Sequence, residues 1–175
     1  MNIRHQLTKR LTVGASAIVL SFGLAACSAQ PGTAVIVDDE EYSEDVVSQT
    51  ARELTDLSGN PFTPTDVVNL LTINKSVIAV GEKNNITLSG EDVRNSFAEV
   101  NDNLSDSSVE VLKTIHVANL LSQNIDEMTF STQLRENQEN LSIEVNPRYG
   151  KLTEEKFLSR PILDGVFDPL VQPGN

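Results

Sequence analysis

The apolar positions along this chain change period several times, and each change marks an element. Ala34-Val35-Ile36-Val37 is a β-branched run stopped by Asp38-Asp39-Glu40-Glu41, which predicts a strand running into a turn. The spacing then becomes helical. Val46, Val47, Ala51, Leu54 and Leu57 recur every three or four residues, with Ser43 as N-cap and Glu44 and Asp45 in the first turn, where acids suit the helix dipole. Ser58-Gly59-Asn60-Pro61 breaks that helix. Thr63 caps the next one, Pro64 takes its first position, and Asp66 lies three residues after the cap. Its face of Val67, Leu70, Leu71, Asn74, Val77 and Ile78 runs to Gly81. Ser89 and Asp92 repeat the cap pattern before Val93, Phe97 and Val100.

A polar link over residues 101–107 leads to the most apolar stretch, residues 109–121. Its apolar positions spread beyond one stripe, which predicts the central buried helix. A short helix from about Thr129 to Asn140 carries Phe130 and Leu134. Leu141, Ile143 and Val145 then alternate with Ser142 and Glu144 as a half-buried strand, and Pro147 forbids its continuation as a central strand. The predicted fold class is therefore mainly α: about five helices closed by a small two-stranded sheet, one strand from each end of the domain. Neither strand is stable alone, so pairing between Val35–Val37 and Leu141–Val145 is expected. Residues 151–175, with Pro161, Pro169 and Pro173 between short apolar pieces, read as an extended tail, partly docked or disordered.

The N-terminus supplies an address. A short basic start (Arg4, Lys9, Arg10) precedes sixteen uncharged, mostly apolar residues, 11–26. A membrane-spanning helix needs about 20 apolar residues, so this run is short for an anchor and suits a signal-peptide core. It ends Leu24-Ala25-Ala26-Cys27, with slim side chains before the only Cys of the chain, and a polar tether follows to Thr33. The arrangement resembles the lipobox of bacterial lipoproteins. The resemblance implies cleavage before Cys27, diacylglycerol on its sulfur and an acylated amino terminus, since stable anchoring takes two or more acyl chains. Residues 1–26 are then the signal peptide, residues 27–33 the lipidated tether, residues 34–150 the folded domain and residues 151–175 the tail. The protein is expected at the cell membrane, lipid-anchored on the extracytoplasmic side.

Charge narrows the partners. The chain carries 13 Lys and Arg against 25 Asp and Glu, a net charge of −12. Removing residues 1–26 leaves 149 residues with 10 bases and 25 acids, or −15. That body does not suit phosphate-backbone binding, and two Tyr, six Phe and no Trp do not suit base stacking, so nucleic acid is not an expected partner.

Taken together, the lipobox, Ala34-Val35-Ile36-Val37-Asp38-Asp39-Glu40-Glu41-Tyr42-Ser43, several helices and a closing Ile143-Glu144-Val145-Asn146-Pro147-Arg148-Tyr149-Gly150 resemble the SurA N-terminal domain family. The chain is more closely similar to short SurA-like lipoproteins of actinobacteria. The structural motif Asn146, Pro147, Arg148, Tyr149 and Gly150 stands intact, whereas Asp39 occupies a turn position where the family usually has Gly. The resemblance spans residues 34–150. It implies a helical domain that cradles unfolded or secreted polypeptides, and hence a chaperone-like lipoprotein. A parvulin isomerase domain takes roughly a hundred residues, and 25 follow Gly150, so isomerase activity is not expected. The alternative is an accessory or structural envelope lipoprotein that docks one dedicated partner; an enzyme of unrecognised type is the third class.

Other candidate chemistry reads as structure. No catalytic, cofactor-binding or metal-ligating residues are assigned. His116, alone in the body of the domain, sits within the apolar helix and suits packing. Residues 101–106 alternate oxygen ligands like a calcium loop, but the sixth position lacks Gly and the twelfth, Leu112, has no carboxylate. Residues 38–41 suit a soluble strand end. Arg148 and Tyr149 suit a lock of the closing strand against the helices, with a grip on a client backbone as the functional alternative.

Overall fold

The computed structural model describes residues 31–98 and 103–159. Cys27, the leader before it, Val100 and residues 160–175 lie outside the described residues. The elements run β1 (Thr33–Val37), β2 (Glu40–Ser43), α1 (Glu44–Ser58), α2 (Pro64–Lys83), α3 (Gly90–Phe97), α4 (Asp106–Asn124), α5 (Glu127–Gln138) and β3 (Ile143–Val145). The fold is mainly helical with a small antiparallel sheet, as the periodicity predicts.

The helix starts follow their caps. Ser43 accepts from the Val46 amide, and Thr63–Asp66 and Ser89–Asp92 are reciprocal capping boxes. Ser105 and Asp126 cap α4 and α5, so α4 begins earlier than residue 109 and α5 earlier than Thr129. Gly59, at φ 69°, closes α1 with its amide on the Thr55 carbonyl. The second helix continues past Gly81 to Lys83. Glycine is needed at position 81 for a different reason: a Cβ there would stand 2.7 Å from both the Ile86 carbonyl oxygen and Val117 Cγ1. Its absence lets α2 approach α4 and the Ile86 backbone closely.

Two expectations need correction. The place at the centre of the domain belongs to α2, which packs against α1, α4, α5 and β1, with α4 as its main partner. The helix is 20 residues long and buries Val67, Val68, Leu70, Leu71, Val77 and Val80 around more than one face. The sheet has three strands in the order β2-β1-β3. Residues 40 and 41, read above as part of a turn, pair instead as the start of β2, with Val37 opposite Glu40 and Val35 opposite Tyr42. Asp38 makes this possible by taking φ 54°, so Asp38-Asp39 closes a tight hairpin, and the left-handed position falls on Asp38 rather than Asp39. Two acids on β2 do not stop pairing because an edge strand keeps them in solvent.

The predicted pairing of the two ends is present. Val35 lies opposite Val145 and Val37 opposite Ile143, antiparallel. Val35 and Val37 are fully buried, and Ile143 and Val145 pack against the same core. Beyond β3, residues 151–159 form a small loop rather than an extended run. Leu152 bridges Leu158, and Lys156, at φ 62°, turns the chain. Leu158 is buried, and the Lys156 ammonium donates to the carbonyls of Glu139 (2.7 Å) and Leu141 (2.5 Å). Among the described residues no helix is long and apolar enough to cross a membrane.

Candidate functional site

The closing turn after β3 gathers the sequence motif against the start of the domain. The Asn146 amide donates to the Ala34 carbonyl (2.9 Å), continuing the β1–β3 ladder by one rung. Its side-chain nitrogen donates to the Thr33 carbonyl (3.0 Å) and Glu44 Oε1 (3.2 Å), while Oδ1 accepts from the Arg148 amide (3.2 Å). One side chain thereby holds strand, helix and turn. Pro147 sets the turn, and the Tyr149 amide closes it on the Asn146 carbonyl at 2.9 Å. Arg148 Nη1 donates to Glu44 Oε2 at 2.7 Å, and its guanidinium carbon lies 5.4 Å from the Tyr149 ring centroid. The hydrogen bond to Glu44 raises the Arg148 pKa further above its already high ordinary value. Burial, then Glu44, pushes the Tyr149 phenol up, opposed by Arg148. Gly150 at φ 140° turns the chain out, with Leu158 Cδ2 at 3.1 Å from where a Cβ would stand.

This turn forms one wall of a groove. A hollow of about 270 Å³ lies between it, Thr65 and Asn69 of α2, and Leu158-Ser159. A second, about 340 Å³, shares Thr65, Arg148 and Tyr149 with the first and reaches Glu44, Ser48 and Pro64. A third, about 380 Å³, shares Ser48 and Pro64 with the second and ends at Arg52, Thr55 and Phe62. The three adjoin as one open channel along the α1–α2 side. Its rings are Phe62 and Tyr149, its cations are Arg52 and Arg148, and its carboxylates are Glu44, Asp45 and Asp56, with Arg148 paired to Glu44. No family model, curated protein or solved structure matches this chain.

The other candidates are placed plainly. His116 is half-buried in α4; its Nδ1–H donates to the Leu112 carbonyl (2.9 Å) and its ring meets Phe97 edge-on at 5.8 Å. It packs. Within the former calcium-loop candidate, Ser105 caps α4, Asp106 pairs with Arg94 at 2.5 Å, and residues 101 and 102 lie outside the described residues. Among the described residues, no three His, Cys, Asp or Glu are grouped to hold a metal ion. Asp38 and Glu40 pair with Lys75 at 3.3 and 3.5 Å, clamping the hairpin to α2. A hydrogen bond from the Ser142 backbone is the main force holding Asp38 below the ordinary aspartate range.

Three polar centres were invisible to pattern reading. Gln138, fully buried in α5, accepts from Ser76 Oγ (2.7 Å) and donates to the Thr72 and Lys156 carbonyls (3.0 Å each). Glu53 on α1 accepts from the Ser105 amide (3.0 Å), Ser105 Oγ (2.7 Å) and Ser108 Oγ (2.6 Å), bracing the start of α4. Burial raises its pKa, but the Ser108, Ser105 and Gln49 hydrogen bonds outweigh burial and hold it below the ordinary range. Tyr42 Oη donates to Glu110 Oε2 at 2.8 Å and lies 3.3 Å from Glu40. Burial is the main cause that raises both Tyr42 and Glu110. A run of Ser just before an apolar helical stretch, as at Ser105-Ser107-Ser108, is the only signal that could have pointed to any of these.

Proposed function

We propose that this chain is a lipid-anchored, extracytoplasmic protein of the SurA N-terminal kind that binds polypeptide segments in a chaperone-like way. The observation that carries the reading is the channel along α1, α2 and the closing turn, which is open and lined by two rings, hydroxyls, two guanidiniums and three carboxylates. An extended chain offers apolar side chains, unpaired carbonyls and unpaired amides, which suit the rings, the guanidiniums and the carboxylates in turn. The anchor is Cys27, and β1 begins at Thr33, six positions later, which would keep the domain close to the bilayer. Six residues at about 3.3–3.6 Å each give a reach of roughly 20 Å.

The second reading is an accessory envelope lipoprotein with one dedicated partner. One observation favours it: the exposed large apolar side chains among the described residues are Val46, Leu120 and Met128, on three different helices rather than in one broad patch. A photo-crosslinking residue at Phe62 in the full-length protein in intact cells separates the two. Capture of many unrelated polypeptides is the expected result. One stoichiometric partner would move the function to the accessory role, and no captured protein would overturn both.

A further inference from the structure

The two edges of the sheet are not alike. On one, β2 runs straight into α1, Glu40 is clamped to Lys75, and Glu41 adds a second acid. That edge is guarded by charge. On the other, the ladder between β1 and β3 fixes where each group of β3 points. The Asp38 amide donates to the Ser142 carbonyl (2.7 Å) and the Asn146 amide to the Ala34 carbonyl (2.9 Å). The bonded pairs are therefore Asp38–Ser142, Ile36–Glu144 and Ala34–Asn146. Ile143 and Val145, opposite Val37 and Val35, fall on the alternate pairs, so their amides and carbonyls point away from β1. Among the described residues these groups have no hydrogen-bond partner. The loop that follows bonds to itself and to α5: the Thr153 amide meets the Phe157 carbonyl (2.7 Å), the Ser159 amide meets the Lys151 carbonyl (3.1 Å), and the Lys156 carbonyl accepts from Gln138 (3.0 Å).

The side chains of β3 divide as this register requires. Ile143 and Val145 share the inner face with Val37 and Val35, yet they are half-buried where those two are no more than 1% exposed. The apolar cover thins at β3. Glu144 is exposed on the outer face, in a row with Ile36 and Glu41.

We infer that the outer edge of β3 is a strand-addition site for an extended segment of another polypeptide, one in which a Lys or Arg is flanked on both sides by apolar residues. An antiparallel strand laid there exchanges amide and carbonyl bonds with Ile143 and with Val145. Its residue opposite Glu144 then falls on a non-bonded pair, where Cα atoms stand about 4.5 Å apart and side chains meet most closely. A cation there pairs with the carboxylate, and an acid is repelled. Both neighbours of that cation point to the inner face and extend the apolar cover beside Ile143 and Val145. The excess of 25 Asp and Glu over 13 Lys and Arg draws basic chains toward the molecule. Pro147 ends the ladder soon after its three residues, so a bound segment is held briefly and released. The inference rests on reading the protein as a polypeptide binder and gives that reading a sequence preference.

The test titrates the isotope-labelled full-length lipidated protein, in detergent micelles, with the capped peptide Thr-Val-Lys-Val-Thr and follows backbone amides by NMR. The expected result is a saturable shift centred on β3, with exchange of the Ile143 and Val145 amides slowed several-fold and that of Glu144, already bonded, unchanged. Binding should weaken several-fold for Thr-Val-Glu-Val-Thr, and the order of the two peptides should reverse in the Glu144→Lys variant, whose exposed side chain leaves the core untouched. A peptide N-methylated on both Val should not bind. Equal binding of the methylated peptide, shifts confined to the channel, or no shift at all would overturn the inference. So would Ile143 and Val145 amides already protected without peptide, since another part of the chain would then occupy the edge. The readout lies at β3 and the Phe62 probe lies in the channel, so each proposal can fail without the other.

Discussion

The helices α2 and α4 pack against each other in a seam, and Leu70 and Leu71 on one and Leu112, Ile115 and Leu121 on the other are each no more than 1% exposed. The closure at the other end of the chain is joined chiefly by polar groups. Gln138, Asn146 and Lys156 each bind two or more backbone or side-chain partners, and most of those partners lie far away in sequence. The seam gains from area, which is non-directional and tolerant of small shifts. The closure gains from geometry, where each bond is modest but an orphaned buried partner is costly. The difference shows how a small domain divides its tasks: the seam supplies stability, and the closure decides which ends meet and where the channel wall stands.

The seam should break hardest. Leu112→Ala removes a side chain with no solvent exposure and is expected to cost about 2–5 kcal/mol, read from denaturant unfolding. A loss under about 1 kcal/mol would mean that the α2–α4 contact is looser than its burial says. The closure comes next. Gln138→Ala strands the Ser76 hydroxyl and the Thr72 and Lys156 carbonyls, for an expected loss of about 1–3 kcal/mol. Gln138→Glu should be worse than Gln138→Ala at neutral pH, since it faces two carbonyls with a buried charge.

Protonation sharpens the comparison with the smallest effects, and the two glutamates should move in opposite directions. Glu53 is held below the ordinary glutamate value, so its contribution is present above that value and is lost as pH falls through the lower folded one. Glu53→Gln should therefore lower Tm at pH 7, and the gap should narrow below about pH 4.3. Glu110 is raised, chiefly by burial, so its charged form opposes folding once pH passes the ordinary value and continues to do so above the raised one. Glu110→Gln should raise Tm at pH 7 and change little near pH 4, while still accepting the Tyr42 hydroxyl. Shifts of the same sign would contradict this assignment.

The same division explains what could be read in advance. Helix caps, apolar faces and the meeting of β1 with β3 are local or periodic signals, and Thr63, Ser89 and Val35 behave as their neighbours predict. The strand β2 was hidden because Glu40-Glu41 reads as turn chemistry, and only the left-handed Asp38 turns the chain back soon enough for them to pair. The centrality of α2 was hidden because periodicity measures one helix and cannot count the neighbours that surround it. Of the candidate site, the motif Asn146–Gly150 was legible as a unit, but its partner Glu44 lies 104 residues from Arg148. Bonds at that separation leave no period in a single sequence. The channel depends on two such separations at once, α1 and α2 each against the closing turn.

Everything proposed for function begins at Cys27, because a polypeptide-binding domain acts on exported chains only if it is held where they emerge. The direct measurement is metabolic labelling of the full-length protein with an alkyne fatty acid, comparing the unaltered chain with Cys27→Ala. Labelled protein in the membrane fraction, and complete loss of label in the variant, is the predicted result, since Cys27 carries the only thiol in the sequence. Label that persists in Cys27→Ala, or an unaltered chain that never takes up label, would contradict the lipid anchor and with it the extracytoplasmic binding role.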